Sequence, residues 1–162
     1  MNDDVESGQV EFKQSVCAGV IKTIIAFANT EGGDLYIGVA DDGEVVGGEN
    51  LDDELTRLSS MMRDSIRPDI LMHYSVRPDM TDGKSIIHVH VERGTKRPYY
   101  LASKGPRPEG VFIRSGAATL PSSESSILHM IRQSEQDSFE SRPSLVQDLT
   151  FEYASAEFGR KG

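Results

Sequence analysis

The sequence predicts an α+β fold, a single compact domain in which a mixed, hairpin-rich β-sheet packs against helices. Three observations carry this expectation. Residues 16–28 hold an apolar stretch at helical spacing, followed at once by a strand pattern over 34–39. Residues 71–76 and 85–91 alternate apolar and polar side chains on either side of a turn-rich segment. Helical and extended patterns then interleave as far as residue 131, with no internal repeat and no low-complexity tract.

In the first helix Val16, Val20, Ile24 and Ala28 form one row, with Cys17, Ile21, Ile25 and Phe27 beside it. Only Gly19, Lys22, Thr23 and Ala26 make a smaller polar stripe. The helix is therefore expected to be mostly buried, with Cys17 an inert core thiol. Asn29-Thr30-Glu31-Gly32-Gly33 ends it with glycines that a left-handed cap accepts. The strand at 34–39 leads into Asp41-Asp42-Gly43, a hairpin-turn signal before Glu44-Val45-Val46.

Asn50 or Asp52 caps a second helix that carries Leu51, Leu55, Leu58, Met61 and Met62 on one face, and Pro68 stops it. The runs at 71–76 and 85–91 predict a second hairpin, closed by the segment 78–84. Short strands at 99–101 and 111–114 flank Lys104-Gly105-Pro106-Arg107-Pro108, a loop by composition. Pro121-Ser122-Ser123-Glu124 launches a last helix through Ile127, Leu128 and Ile131. The domain is expected to span residues 1–134. Polar composition from Ser134 onward and a partial apolar pattern at Leu145, Leu149, Phe151, Tyr153 and Phe158 predict that residues 135–162 are a linker and the start of a following domain.

Composition narrows the class. The chain has 162 residues, 37% of them hydrophobic, enough to build one core. Its single cysteine excludes a disulfide framework and any multi-cysteine zinc site. No apolar run approaches the roughly 20 residues of a membrane span, and residues 1–8 lack the build of a signal peptide. The expectation is a soluble, cytoplasmic protein with no membrane contact. Neither the phosphate-loop motif nor the dinucleotide fingerprint occurs, so a conventional mononucleotide site is not expected.

A net charge of −9 argues against coating nucleic acid by bulk electrostatics. The charge is unevenly spread, however. Between Arg93 and Arg114 lie six basic residues (Arg93, Lys96, Arg97, Lys104, Arg107 and Arg114) against Glu109 alone, a net +5 that leaves −14 for the rest. Tyr99, Tyr100 and Phe112 are interleaved with them, a mixture that holds phosphates and stacks bases. A solvated basic loop over core aromatics is the plain alternative. Acidic residues form a second constellation: Glu6 and Glu11 bracket Gly8, and Asp41-Asp42 follow the first clear strand. If a bend at Gly8 brought these carboxylates together they would suit Mg²⁺ or Mn²⁺; otherwise they are solvated acids. His88 and His90 share one strand face and, lacking a third ligand, read as a surface pair.

The blocks Glu6-Ser7-Gly8-Gln9-Val10-Glu11-Phe12-Lys13, Ala26-Phe27-Ala28-Asn29-Thr30-Glu31-Gly32-Gly33, Tyr36-Ile37-Gly38-Val39 and Asp41-Asp42-Gly43 together resemble the Schlafen-type AlbA-like domain. Val111-Phe112-Ile113-Arg114-Ser115-Gly116-Ala117-Ala118-Thr119 is similar to that family's later motif, and the blocks cover residues 5–133 in order. The resemblance implies a DNA-binding domain at the front of a bacterial transcriptional regulator or a RecG-like, helicase-related protein. Arg93, Lys96, Arg97, Lys104 and Arg107 would grip phosphates, and Arg114 would meet backbone or base. DNA is expected ahead of RNA, and binding itself would need no cofactor. Dimerisation would add reach and symmetry.

Ribonuclease relatives of the family use three carboxylates, which by motif fall on Glu6, Glu11 and Asp41, with Asp42 adjacent. The second expectation is therefore a metal-dependent endoribonuclease holding Mg²⁺ or Mn²⁺ on Glu6, Glu11 and Asp41. A third is a non-catalytic dimerisation or interaction module.

Overall fold

The computed structural model describes residues 7–48 and 50–140. Its elements follow in the order β1 (Val10–Lys13), α1 (Ala18–Asn29), β2 (Gly33–Ile37), α2 (Leu51–Ser65), β3 (Ile66–Arg67), β4 (Tyr74–Thr81), β5 (Lys84–Val91), β6 (Tyr100–Leu101), β7 (Phe112–Ser115), β8 (Ala118–Pro121) and α3 (Glu124–Glu140). A mixed sheet in the order β1-β2-β5-β4 forms the centre, with β1 parallel to β2 and the other pairs antiparallel. Two small ribbons, β3-β6 and β7-β8, complete the strands. The predicted α+β class holds.

The apolar row of α1 explains its place. Val20, Ile24, Ile25, Ala26, Phe27 and Ala28 are fully buried and pack with Leu35, Val89 and Val91 of the sheet and Leu58 and Met62 of α2. Thr23, from the stripe expected to be polar, is buried as well and stands 3.5 Å from Thr119. The helix closes as its glycines predict. The N–H groups of Thr30 and Gly32 both donate to the Phe27 carbonyl, and Gly32 has φ +77°. A side chain there would also meet the Val91 carbonyl at 2.6 Å, so glycine answers two demands at once. On the other sheet face Phe12, Val39, Val45 and Ile86 form a smaller core.

Four local expectations are corrected. Cys17 is exposed, because the helix begins at Ala18 and Cys17 keeps extended backbone before the first turn. The return after β2 keeps the expected turn, with the Gly43 N–H donating to the Ala40 carbonyl, but pairs as the single bridge Val39 to Val45 rather than as a hairpin ladder. The β4-β5 hairpin is longer than expected: pairing runs to Thr81 opposite Lys84, so the turn is Asp82-Gly83, both with positive φ. Finally, α3 continues past Ser134 to Glu140, since Ser134-Glu135-Gln136-Asp137 is polar but contains no helix breaker.

The chain divides into two compact units, Met1–Met130 and Ile131–Gly162, and the described part of the second is the end of α3. The apolar pattern at 145–158 lies outside the described residues. Among the described residues no helix is long and apolar enough to cross a membrane.

Candidate functional site

Of the acidic constellation, Glu6 lies outside the described residues. Glu11 sits on β1 opposite Leu35, on the buried face of the sheet. Its Oε1 is 2.6 Å from Arg114 Nη1 and its Oε2 is 3.5 Å from Lys13 Nζ. Asp41 is exposed in the turn after Val39, and Asp42 accepts the Glu44 N–H at 2.9 Å. Among the described residues no three His, Cys, Asp or Glu side chains are placed to hold a metal ion. A cation at Glu11 would face a guanidinium already in contact with the carboxylate. Glu11 is thus held by two cations, and Asp41 stands in an exposed turn of its own.

Arg114 was expected to meet nucleic acid. Its side chain is instead 2% exposed. Nη1 donates to Thr119 Oγ1 at 2.9 Å, and Nη2 donates to the carbonyls of Ser7 at 2.8 Å and Val10 at 3.1 Å. The guanidinium carbon lies 5.2 Å from the centre of the Phe27 ring. Arg114 therefore ties β7-β8 to β1 and to the turn before it. The sequence shows the cation but hides its carboxylate, which stands far away along the chain.

Arg97 is likewise buried, its Nε donating to the Gly94 carbonyl at 3.2 Å. Arg93 is exposed and paired with Glu31 at 3.2 Å. Lys96, Lys104 and Arg107 remain. All three are exposed, and none has an ion-pair partner among the described residues. The aromatic expectation narrows similarly. Tyr99 and Phe112 belong to the core, and only Tyr100 is half-exposed.

The segment bearing these cations is held rigidly. The Asn29 side chain is buried at the end of α1 and accepts the Tyr99 N–H at 2.7 Å. It also donates from Nδ2 to the carbonyls of Tyr99 at 3.0 Å and Phe112 at 2.9 Å. One amide thus clamps both ends of the basic loop. Upstream, Lys96 N–H donates to the Tyr99 hydroxyl at 3.2 Å, and the Tyr99 ring packs so tightly on Gly94 that a Cβ there would lie 2.0 Å from it. Downstream, Lys104 and Gly105 donate to the Leu101 carbonyl, and Gly110 and Val111 donate to the Arg107 carbonyl. The loop is pre-formed, so a ligand would not have to order it.

Two further cations join this region only through tertiary structure. The β3-β6 register sets Arg67 opposite Tyr100. Lys22 of α1 places its Nζ 5.4 Å from the centre of the Phe112 ring. A two-residue strand leaves no periodic signal, so Arg67 was not legible beforehand. Lys22 was visible in the polar stripe of α1, but nothing connected it to β7.

On the far face of the sheet, Asp34 links the two strand histidines. Its Oδ1 is 2.7 Å from His88 Nε2 and 2.9 Å from His90 Nδ1, and Tyr36 stacks on His88 at 4.7 Å. Burial pushes the Asp34 carboxyl up, but the hydrogen bonds and charges of His90 and His88 more than reverse this and hold it below 3.8. Burial, with the charges of Asp34 and Asp79, holds the Tyr36 hydroxyl above 10.0 against the pull of Arg77. A carboxyl lowered by folding contributes stability above its unfolded value and loses it as pH falls through the folded one. Stability measured by urea melts is accordingly expected to fall below about pH 4. In Asp34→Asn this part of the acid limb should flatten; an unchanged limb would contradict the assignment.

Central sheet, helices and a clamped loop define one class, an α+β domain whose hydrogen-bonded loop carries exposed cations. The family described as Schlafen, AlbA_2 matches residues 6–123, and the chain belongs to that family. Two solved structures share the fold. One is the DIP2311 protein from Corynebacterium diphtheriae, at 18% identity and TM-score 0.59, covering 77% of this chain and 24% of that one. The other is the N-terminal domain of a Nitrosomonas europaea protein named for its relation to the ATP-dependent DNA helicase RecG, at 24% identity and TM-score 0.51, covering 72% of this chain and 84% of that one. The chain thus spans 24% of the length of the first. Curated proteins gave no match.

Proposed function

We propose that this domain binds nucleic acid through Lys96, Lys104 and Arg107, and that it serves as the DNA-binding front of a transcriptional regulator or helicase-related protein. The observation that carries this is the clamped loop. It presents three exposed cations without carboxylate partners among the described residues, on a backbone fixed by Asn29 and Tyr99. Family membership and the helicase-related name of one structural neighbour support the same direction. The net charge of −9 limits indiscriminate binding, because most of the chain repels phosphates.

Arg93 lends partial charge through its exposed pair with Glu31, while Arg97 and Arg114 hold the scaffold. The ribonuclease alternative finds no support in the placement of Glu11, whose carboxylate is engaged by Arg114. The test is fluorescence anisotropy with labelled DNA and RNA at low salt. The Lys96→Ala, Lys104→Ala, Arg107→Ala triple variant should bind at least 10-fold more weakly than the wild type, with an unchanged melting temperature. Equal affinity would refute the proposal.

A further inference from the structure

Beside the basic loop lies a groove of about 570 Å³ that the sequence does not announce. Met62 of α2, Ile66 of β3 and Ile70 form its floor, each at most 3% exposed. Leu71 and Tyr74 stand at its wall. Leu71 is 62% exposed, a large apolar side chain left in water at the groove's mouth. Arg63 and Arg67 line the same groove from α2 and β3. The volume falls within the roughly 300–1,000 Å³ of small-ligand sites.

We infer that this groove seats an unstacked base of a single-stranded nucleic acid, with Arg63 and Arg67 holding the adjoining phosphates; the inference rests on the nucleic-acid reading above. Three features favour this occupant. The floor is apolar and Tyr74 supplies an aromatic ring, the surroundings in which a base leaves water and stacks. Arg67 is braced: its Nη1 donates to the carbonyls of Arg63 at 3.0 Å and Ile66 at 2.9 Å, which fixes the guanidinium at the end of α2. Among the described residues the Arg63 side chain meets Ser60 and Asp64 on the exposed helix surface, at 3.4 and 3.6 Å, and reorients at little cost.

Continuity with the proposed interface is the third feature. Arg67 pairs across the ribbon with Tyr100, and the chain runs on from Leu101 into the loop of Lys104 and Arg107. Asp69 is the one acid in the groove. Its Oδ1 accepts the Leu71 N–H at 2.8 Å, so the carboxylate is tied to its own turn, and its second oxygen suits the exocyclic amine of a base. Bases inside a duplex are stacked and cannot enter, so the groove selects single strands.

The test uses the full 162-residue chain and three fluorescein-labelled probes. These are a mixed-sequence single-stranded DNA 12-mer, the same sequence as a duplex, and a 12-mer of abasic sites with equal phosphates. The single strand should bind at least 5-fold more tightly than either the duplex or the abasic strand. Leu71→Ser, at an exposed position that folding tolerates, should bring the single strand within 2-fold of the abasic probe. Equal binding of normal and abasic strands would overturn the groove and leave the basic-loop proposal standing. So would a preference for bases that survives Leu71→Ser. Failure of all three probes to bind at low salt would instead remove the nucleic-acid reading itself.

Discussion

Replacing Arg114 with methionine is expected to destabilise the domain by about 3–5 kcal/mol, the range for removing one partner of a buried ion pair. The substitution leaves the Glu11 carboxylate, 11% exposed, without its guanidinium, and removes a donor from each of the carbonyls of Ser7 and Val10. Lysine should not rescue it. A single ammonium cannot reach Glu11, Thr119 and two carbonyls from one position, which the planar fork of arginine does. Combining Arg114→Met with Glu11→Met should recover part of the loss, because no charge is then stranded in the interior. Urea denaturation of the four proteins gives the coupling directly. A loss below about 1 kcal/mol for Arg114→Met, within the range of ordinary surface changes, would show that the pair is not structural.

Asn29→Ala should have the second largest effect, a loss of about 3 kcal/mol or more. It leaves the Tyr99 N–H and the carbonyls of Tyr99 and Phe112 without the amide that joins them. Asn29→Asp is the sharper probe. One carboxylate oxygen can still accept the Tyr99 N–H, but the other would face two carbonyls at a position 4% exposed. Aspartate should therefore be worse than alanine at neutral pH and recover partly in acid, where its protonated oxygen donates one bond. Because the clamp fixes the basic loop, both variants should also weaken DNA binding under conditions where the domain is still folded. An Asn29→Ala protein as stable as the wild type would contradict the role assigned to this residue.

How far the sequence foretold the structure depends on how local each cause is. Residues 18–29 were legible as a helix because the apolar row is continuous and the glycine cap is adjacent. The hairpin of β4 and β5 was legible from alternation, but its turn was not. Pro78 and Asp79 suggested a loop, yet a proline and a charge are tolerated on an edge strand, and β4 is the edge of the sheet. β1 and β8 carried weaker signals. In β1 the buried side chain opposite Leu35 is a glutamate, and its counter-ion arrives from β7. The same non-local pairing misled the site expectation. Charge counted along the chain gives six cations between 93 and 114, while burial and pairing leave three open at the surface. Arg97 and Arg114 look identical to Lys96 and Arg107 until the fold turns two of them inward.

Lys96, Lys104 and Arg107 are proposed to contact phosphates. The salt dependence of DNA binding for the wild type and the triple alanine variant measures those contacts most directly. Each phosphate contact contributes about −0.9 to the slope of log affinity against log salt on duplex DNA, and about −0.7 on single strands. The triple variant should lose about 2–3 units of slope together with its affinity. A variant whose slope equals that of the wild type would place the phosphate contacts elsewhere and rule out this role for Lys96, Lys104 and Arg107.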